Sequence, residues 1–173
     1  MTPLLTASKQ QQAMLDMISV TEGTSSSLAT KNRGYDVIVT GVGGQPEIFT
    51  DYSHHPFDAG RPAKVINHSG LQSTASGRYQ ILLRWWRIYA KQNGWPDFTP
   101  LYQDQYALVQ FRERHVLASL DAGNFHSALR VISPLWASLP GKGYVGQGQR
   151  TIAFCEAVYR ANGGAITDLP IPI

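Results

Sequence analysis

A carboxylate, Glu22, stands where an apolar-faced stretch of about three helical turns runs out into glycine and hydroxyl residues, in the run Met17-Ile18-Ser19-Val20-Thr21-Glu22-Gly23-Thr24. An acid at a helix C-terminus faces the negative end of the macrodipole, a poor place for a charge whose only duty is stability. Local conflicts of this kind concentrate at functional positions. On spacing alone two readings stand: a solvated helix-end acid, the usual fate of a glutamate, or a proton donor. Glycosidic cleavage asks for the second, because its acid must still hold a proton near neutral pH, and that requires an apolar or dehydrated setting. A rise of about two pH units would cost about 2.7 kcal/mol, which a core of this size tolerates.

Asp36, Glu47, Asp51 and Asp58 are the other carboxylates near this helix and the hairpin that follows it. Gly77-Arg78-Tyr79-Gln80 offers phenol and amide groups, donors and acceptors without net charge that suit hydroxyl and N-acetyl recognition, although they also serve as ordinary helix-start residues. Other chemistries find less support. Gly141-Lys142-Gly143-Tyr144-Val145-Gly146 has dinucleotide-loop spacing but follows Trp136-Ala137-Ser138-Leu139-Pro140 rather than a strand, so it reads as a flexible loop. His54, His55, His68, His115 and His126 form no i, i+4 pair and have no cysteine partners, so no metal site is expected, and His54-His55-Pro56 reads as a polar loop segment. No Gly-x-Ser-x-Gly elbow marks a serine nucleophile.

These residues need elements to hold them. Met14, Met17, Ile18 and Thr21 fall at helical spacing and predict an amphipathic helix over Lys9 to Thr21. Asp36 to Thr40 and Glu47 to Thr50 flank a Gly41-to-Pro46 turn cluster, the pattern of a small hairpin. His54 to Ser76 lacks a period and predicts a long surface loop. After Gly77 the arc containing Ile81, Leu82, Trp85, Trp86, Ile88 and Tyr89 is so widely apolar that its helix is expected to be central, with Gly94-Trp95-Pro96 as its stop. Thr99-Pro100 opens another helix running through Leu108 and Phe111. Phe125, Ala128, Leu129 and Ile132 mark a further one, and a last helix is expected from about Gly148 to Ala161. The proline-rich end, residues 165–173, reads as a tail. The pattern is α+β, mostly helical with one small antiparallel β-sheet.

At 173 residues, 43% hydrophobic, the chain suits one domain, 1–173, with its core over about 9–164. Only 16% of residues are charged, so the surface leans on uncharged polar groups that suit a ligand such as carbohydrate. The net charge of +3 gives mild attraction to polyanions without the clustered Lys/Arg stripe of a nucleic-acid binder. Cys155, the one cysteine, lies in an apolar run and is expected to be a buried small hydrophobe. Neither a cleavable leader nor a membrane-length apolar run is seen, so accumulation in the cytoplasm and release by some other agent are expected.

The chain closely resembles the phage lambda endolysin family of lytic transglycosylases. The resemblance is carried by Ser19 to Thr24, Asn32-Arg33-Gly34-Tyr35-Asp36-Val37-Ile38-Val39, Phe49-Thr50-Asp51-Tyr52-Ser53, Gly77 to Gln80 with Arg84-Trp85-Trp86, and Trp136 to Gly141 with Gly143-Tyr144, in order from about Met14 to Gly164. It implies a lysozyme-like fold with a small sheet flanking a substrate cleft, and a single catalytic glutamate, here Glu22. It further implies cleavage of the β-1,4 bond between N-acetylmuramic acid and N-acetylglucosamine in peptidoglycan, leaving 1,6-anhydro ends, without metal or cofactor. Tyr35, Asp36, Asp51, Tyr52, Tyr79, Gln80 and Tyr144 lie in matched segments and are expected around the glycan. For Asp36 and Asp51 a structural role in the hairpin backbone is an equal alternative. Stretches 62–73 and 139–148 correspond to cleft-edge segments. A monomer acting on glycan strands is implied, in the host cytoplasm until a separate membrane lesion lets it reach the wall. A hydrolytic lysozyme and a wall-binding module without activity are the competing readings.

Overall fold

A computed structural model describes residues 3–141 and 148–170 of the chain. The helices are α1 (Lys9–Thr21), α2 (Leu83–Asn93), α3 (Pro100–Glu113), α4 (Leu117–Asp121), α5 (Phe125–Ile132) and α6 (Ile152–Ala161), and a 3-10 turn over Ser133–Leu135 follows α5. The strands β1 (Val37–Ile38), β2 (Glu47–Ile48), β3 (Lys64–Val65) and β4 (Gln72–Ser73) make two antiparallel pairs instead of one small sheet. The chain divides into two compact units, one built on Gly23–Tyr106, the other on Leu5–Glu22 with the chain from Ala107 onward.

In the first unit, Val37 pairs with Ile48 and Ile38 with Glu47, as the turn cluster between them predicts. The second hairpin falls inside the expected surface loop. There Asn67 Oδ1 accepts the N–H groups of Ser69 and Leu71, a side-chain turn that brings β3 and β4 together. The unit's core is aromatic. Trp86 stacks on Trp95 with ring centroids 5.6 Å apart and meets Phe98 edge-on at 4.7 Å. His55, expected in a polar loop, is fully buried against Phe98 at 4.7 Å. Its Nε2 lies 2.9 Å from the Ile81 carbonyl, and burial lowers its pKa to about 4, so the ring is neutral and donates there. The helix expected to be central is peripheral: α2 buries only Trp86 and Asn93, while Trp85 and Ile88 are each 44% exposed. Arg84, Arg87 and Lys91 interrupt its apolar arc, and a surface position is where such cations keep their water.

The second unit is centred on α1. Ser8 caps it, accepting the Gln11 N–H at 3.2 Å, and the Gln11 side chain accepts the Ser8 N–H at 3.3 Å. Ala13, Met14, Leu15, Met17 and Ile18 are fully buried, so α1 is enclosed over most of its circumference instead of along one stripe. It packs on α4 and α6. The last helix begins at Ile152, later than expected, because Thr151 is its cap and accepts the Phe154 N–H at 3.1 Å. Cys155 is fully buried as expected, and burial pushes its thiol up to about 12. Part of the expected tail is docked. Thr167 N–H donates to the Gly123 carbonyl, and Asp168 accepts the His126 and Ser127 N–H groups at 3.1 and 2.8 Å. The cap residue of α5, Asn124, makes no side-chain bond to the helix's own N–H groups, and Asp168 supplies that cap from the far end of the chain.

Candidate active site

Glu22 is the residue that closes α1, with its N–H on the Ile18 carbonyl at 2.9 Å. Its surface is half-buried, but its carboxyl is enclosed closely enough that desolvation raises its pKa above the ordinary glutamate range. Hydrogen bonds from Ser138 oppose that rise without cancelling it. Ser138 Oγ is 2.6 Å from Glu22 Oε1. In the sequence Ser138 stands out only as part of the stretch Trp136 to Gly141. The two residues are 116 positions apart, so no local pattern joins them. A raised carboxyl pKa with a directed hydroxyl partner is the preparation a general acid needs.

The remaining described candidates belong to the first unit. Tyr35 and Tyr79 are 4% and 1% exposed, and both hydroxyls donate to Asp104 Oδ1, at 2.8 and 2.6 Å. Burial first, then the Asp104 charge, raises the pKa of both phenols. They fix the inside of the unit, with the Arg78 guanidinium 5.0 Å over the Tyr35 ring. Asp36, 2% exposed, accepts the Thr30 hydroxyl at 2.5 Å and the Lys31 N–H at 2.7 Å. Its place is that of a structural acid holding the approach to β1. Asp51 is exposed and accepts the Ser53 N–H at 2.8 Å in a local turn. Tyr52 is half-buried, its hydroxyl accepting from Asn32 Nδ2 at 2.9 Å.

Gln80, also half-buried, has φ +47° and donates from Nε2 to the Gly77 carbonyl at 3.1 Å. A side chain held in the left-handed region costs about 1–2 kcal/mol, so the surrounding structure imposes that orientation. Gln103, fully buried, organises the segment. Its Oε1 accepts the Arg78 N–H at 2.9 Å, and its Nε2 donates to the Tyr35 and Phe98 carbonyls at 3.0 and 2.9 Å. Tyr144 lies outside the described residues, as does most of the glycine-spaced stretch 141–146. A hollow of about 430 Å³ beside the β1–β2 turn is lined by Gly41, Arg61, Lys64 and neighbours, with none of the candidate residues in its wall. Among the described residues no cluster of His, Cys, Asp and Glu is placed to hold a metal.

The sequence profile of the Endolysin family matches residues 12–166. The chain is 51% identical over 162 residues to an endolysin of Escherichia phage P2, covering 94% of this chain and 98% of that protein. The chain belongs to the endolysin family. An endolysin of Escherichia phage lambda is 43% identical over 163 residues, covering 94% and 96% of the two chains. The family's fold is also this chain's: the solved bacteriophage lambda lysozyme in complex with a chitohexasaccharide superposes with a TM-score of 0.84 at 43% identity, covering 95% of this chain and all of that one. A second lambda lysozyme structure superposes with a TM-score of 0.79 at 39% identity. The architecture is thus lysozyme-like α+β.

Proposed function

We propose that the chain is a phage endolysin that degrades the bacterial wall as a peptidoglycan lytic transglycosylase, with Glu22 as its single catalytic acid and base. The observation that carries this reading is the Glu22 carboxyl itself, closing α1 against the unfavourable end of the helix dipole, raised in pKa by burial and held by Ser138. In this mechanism Glu22 protonates the glycosidic oxygen that leaves the anomeric carbon of N-acetylmuramic acid. The resulting carboxylate then takes the proton of the muramyl C6 hydroxyl as that oxygen closes on the anomeric carbon. Attack is intramolecular and gains from effective molarity, so no second catalytic carboxylate is required.

The relative with a bound chitohexasaccharide supports glycan as the ligand class. The rival hydrolytic lysozyme needs a second acid to direct water. Of its two candidates, Asp36 is buried with both oxygens already engaged, which counts against it, and the rival would have to rely on the exposed Asp51. Tyr52 and Gln80 are the half-buried candidates for glycan contact, while Tyr35 and Tyr79 shape their surroundings. Delivery to the wall through a separate membrane lesion belongs to the same proposal; no helix among the described residues is long and apolar enough to cross a membrane.

Mass spectrometry of digested muropeptides tests the reaction: 1,6-anhydro ends are expected, and products carrying added water would overturn it. Glu22→Gln keeps the shape and removes the proton donor, so it should abolish turbidity loss of peptidoglycan suspensions while glycan binding survives. Retained lysis would reject Glu22 as the acid.

A further inference from the structure

Three groups of the second unit lead from the body of α1 to Glu22. Thr21 Oγ1 donates to the Ile18 carbonyl at 2.9 Å, and Ser138 Oγ lies 3.1 Å from Thr21 Oγ1 and 2.6 Å from Glu22 Oε1. Thr21 and Ser138 are 4% and 9% exposed, so bulk water does not stand in for their partners. A hydroxyl carries one proton and can accept as well as donate. With the Thr21 proton committed to Ile18, Thr21 Oγ1 is an acceptor, and the single Ser138 proton has two destinations. Aimed at Glu22 it favours the carboxylate. Aimed at Thr21 it withdraws that support and so favours the protonated form, whose proton stays available to the substrate.

We infer that Ser138 and Thr21 are a positioning pair that lets Glu22 serve as acid and base in turn, Ser138 donating to the carboxylate and turning its hydroxyl onto Thr21 when the carboxyl is protonated. The inference rests on the assignment of Glu22 proposed above. No proton passes through the pair. The proton that leaves Glu22 goes to the departing glycosidic oxygen, the one that returns comes from the muramyl C6 hydroxyl, and the Ser138 O–H only changes acceptor. The pair is anchored on both sides: Thr21 by α1, and Ser138 by its carbonyl, which accepts the Arg150 N–H at 2.8 Å. Burial raises the pKa of the Glu22 carboxyl, and hydrogen bonds from the Ser138 side chain and backbone lower it. The Ser138 N–H is a fixed donor to that carboxyl, and the Ser138 hydroxyl is the one that can be withdrawn. The second acceptor at Thr21 gives it somewhere to turn, so that the base form has support the acid form does not carry.

The two members therefore have opposite effects on one titration. Activity requires protonated Glu22 at the start, so it falls as pH rises through the Glu22 pKa. Ser138→Ala removes the donor to the carboxylate and should move this alkaline limb up by about one pH unit. Thr21→Val removes the alternative acceptor, commits Ser138 to Glu22, and should move the limb down. Ser138→Thr and Thr21→Ser retain the hydroxyls and should leave it near its original position. The readouts are peptidoglycan lysis against pH and direct 13C NMR titration of the Glu22 carboxyl in each variant whose circular dichroism is native. Shifts of both variants in the same direction, or lower activity with an unmoved titration, would overturn the pair. Glu22→Gln keeps the outcomes apart: if it still lyses, the acid assignment fails, while the carboxyl titration of the other variants reports on the pair regardless.

Discussion

Asp168 caps a helix from more than 40 residues away, and its removal gives a stability change that can be worked out in advance. The carboxylate, 14% exposed, accepts two N–H groups in the first turn of α5 and meets His126 Nδ1 at 3.0 Å, and the His126 ring meets Glu156 through Nε2 at 2.6 Å. Loss of a helix cap costs about 1 kcal/mol, the charge at the positive end of the helix dipole about 0.5 kcal/mol, and the partner lost by His126 about 1 kcal/mol more. Asp168→Ala should therefore destabilise the protein by about 2–3 kcal/mol, lowering Tm by about 8 °C for a chain of this size. Asp168→Asn keeps an acceptor and should lose about half as much.

The pH dependence gives a second readout. Burial lowers the His126 pKa, but its bonds to Glu156 and Asp168 outweigh burial and the net direction is up. Its contribution is full below the unfolded value of about 6.5 and is lost as pH rises through the folded value above it. Burial raises the Asp168 pKa while the N–H bonds from Ser127 and His126 lower it further, for a net fall. Its contribution is present above the unfolded value of about 3.9 and is lost as pH falls through the folded value. Thermal unfolding followed by circular dichroism between pH 5 and pH 9 should show wild-type stability declining above about pH 6.5, and a shallower decline in Asp168→Ala. A Tm within about 1 °C of wild type, or an unchanged pH slope, would refute the docking of this segment.

Asp104 and Tyr79 should be strongly coupled. Asp104→Ala removes the acceptor shared by two buried hydroxyls and should cost about 2–4 kcal/mol in urea denaturation, Tyr79→Phe alone should cost about 1 kcal/mol, and the double variant should lose less than the sum; additive losses would refute the shared acceptor. Gly77 has φ +74°, and a Cβ placed there would lie 2.1 Å from Gln103 Oε1. Gly77→Ala should therefore cost about 3 kcal/mol, from backbone strain and the displaced Gln103 bonds, with an unchanged urea midpoint as the contrary result.

Elements whose residues carry their own instructions were legible in the sequence. The apolar spacing from Met14 to Thr21 placed α1, Thr99-Pro100 marked the start of α3, and the turn cluster after Thr40 placed the first hairpin. What escaped depends on contacts between distant residues. The β3–β4 hairpin is two residues per strand and relies on the Asn67 side chain. α4 has five residues, too few to show a period. The centrality expected of α2 belongs to α1, because apolar width alone does not reveal that Arg84, Arg87 and Lys91 claim the surrounding surface. The site divides in the same way. Glu22 was conspicuous because its conflict with the helix end is local, whereas Ser138, the Asp104 acceptor for Tyr35 and Tyr79, and the burial of His55 arise only on folding.

The split course of the second unit has a bearing on when the chemistry becomes available. Gly23–Tyr106 is one uninterrupted stretch, whereas the unit that holds Glu22 joins Leu5–Glu22 to residues from Ala107 onward. Closing so long a loop carries an entropy cost that the packing of α1 on α4 and α6 offsets in part. During synthesis Glu22 emerges before residue 138, whose hydroxyl bonds to it, and before residue 168, which caps α5. A chain made only as far as the first unit thus carries Glu22 without its partner Ser138. On the proposed reading the setting of Glu22 is assembled late, and a truncated or stalled product would be inert.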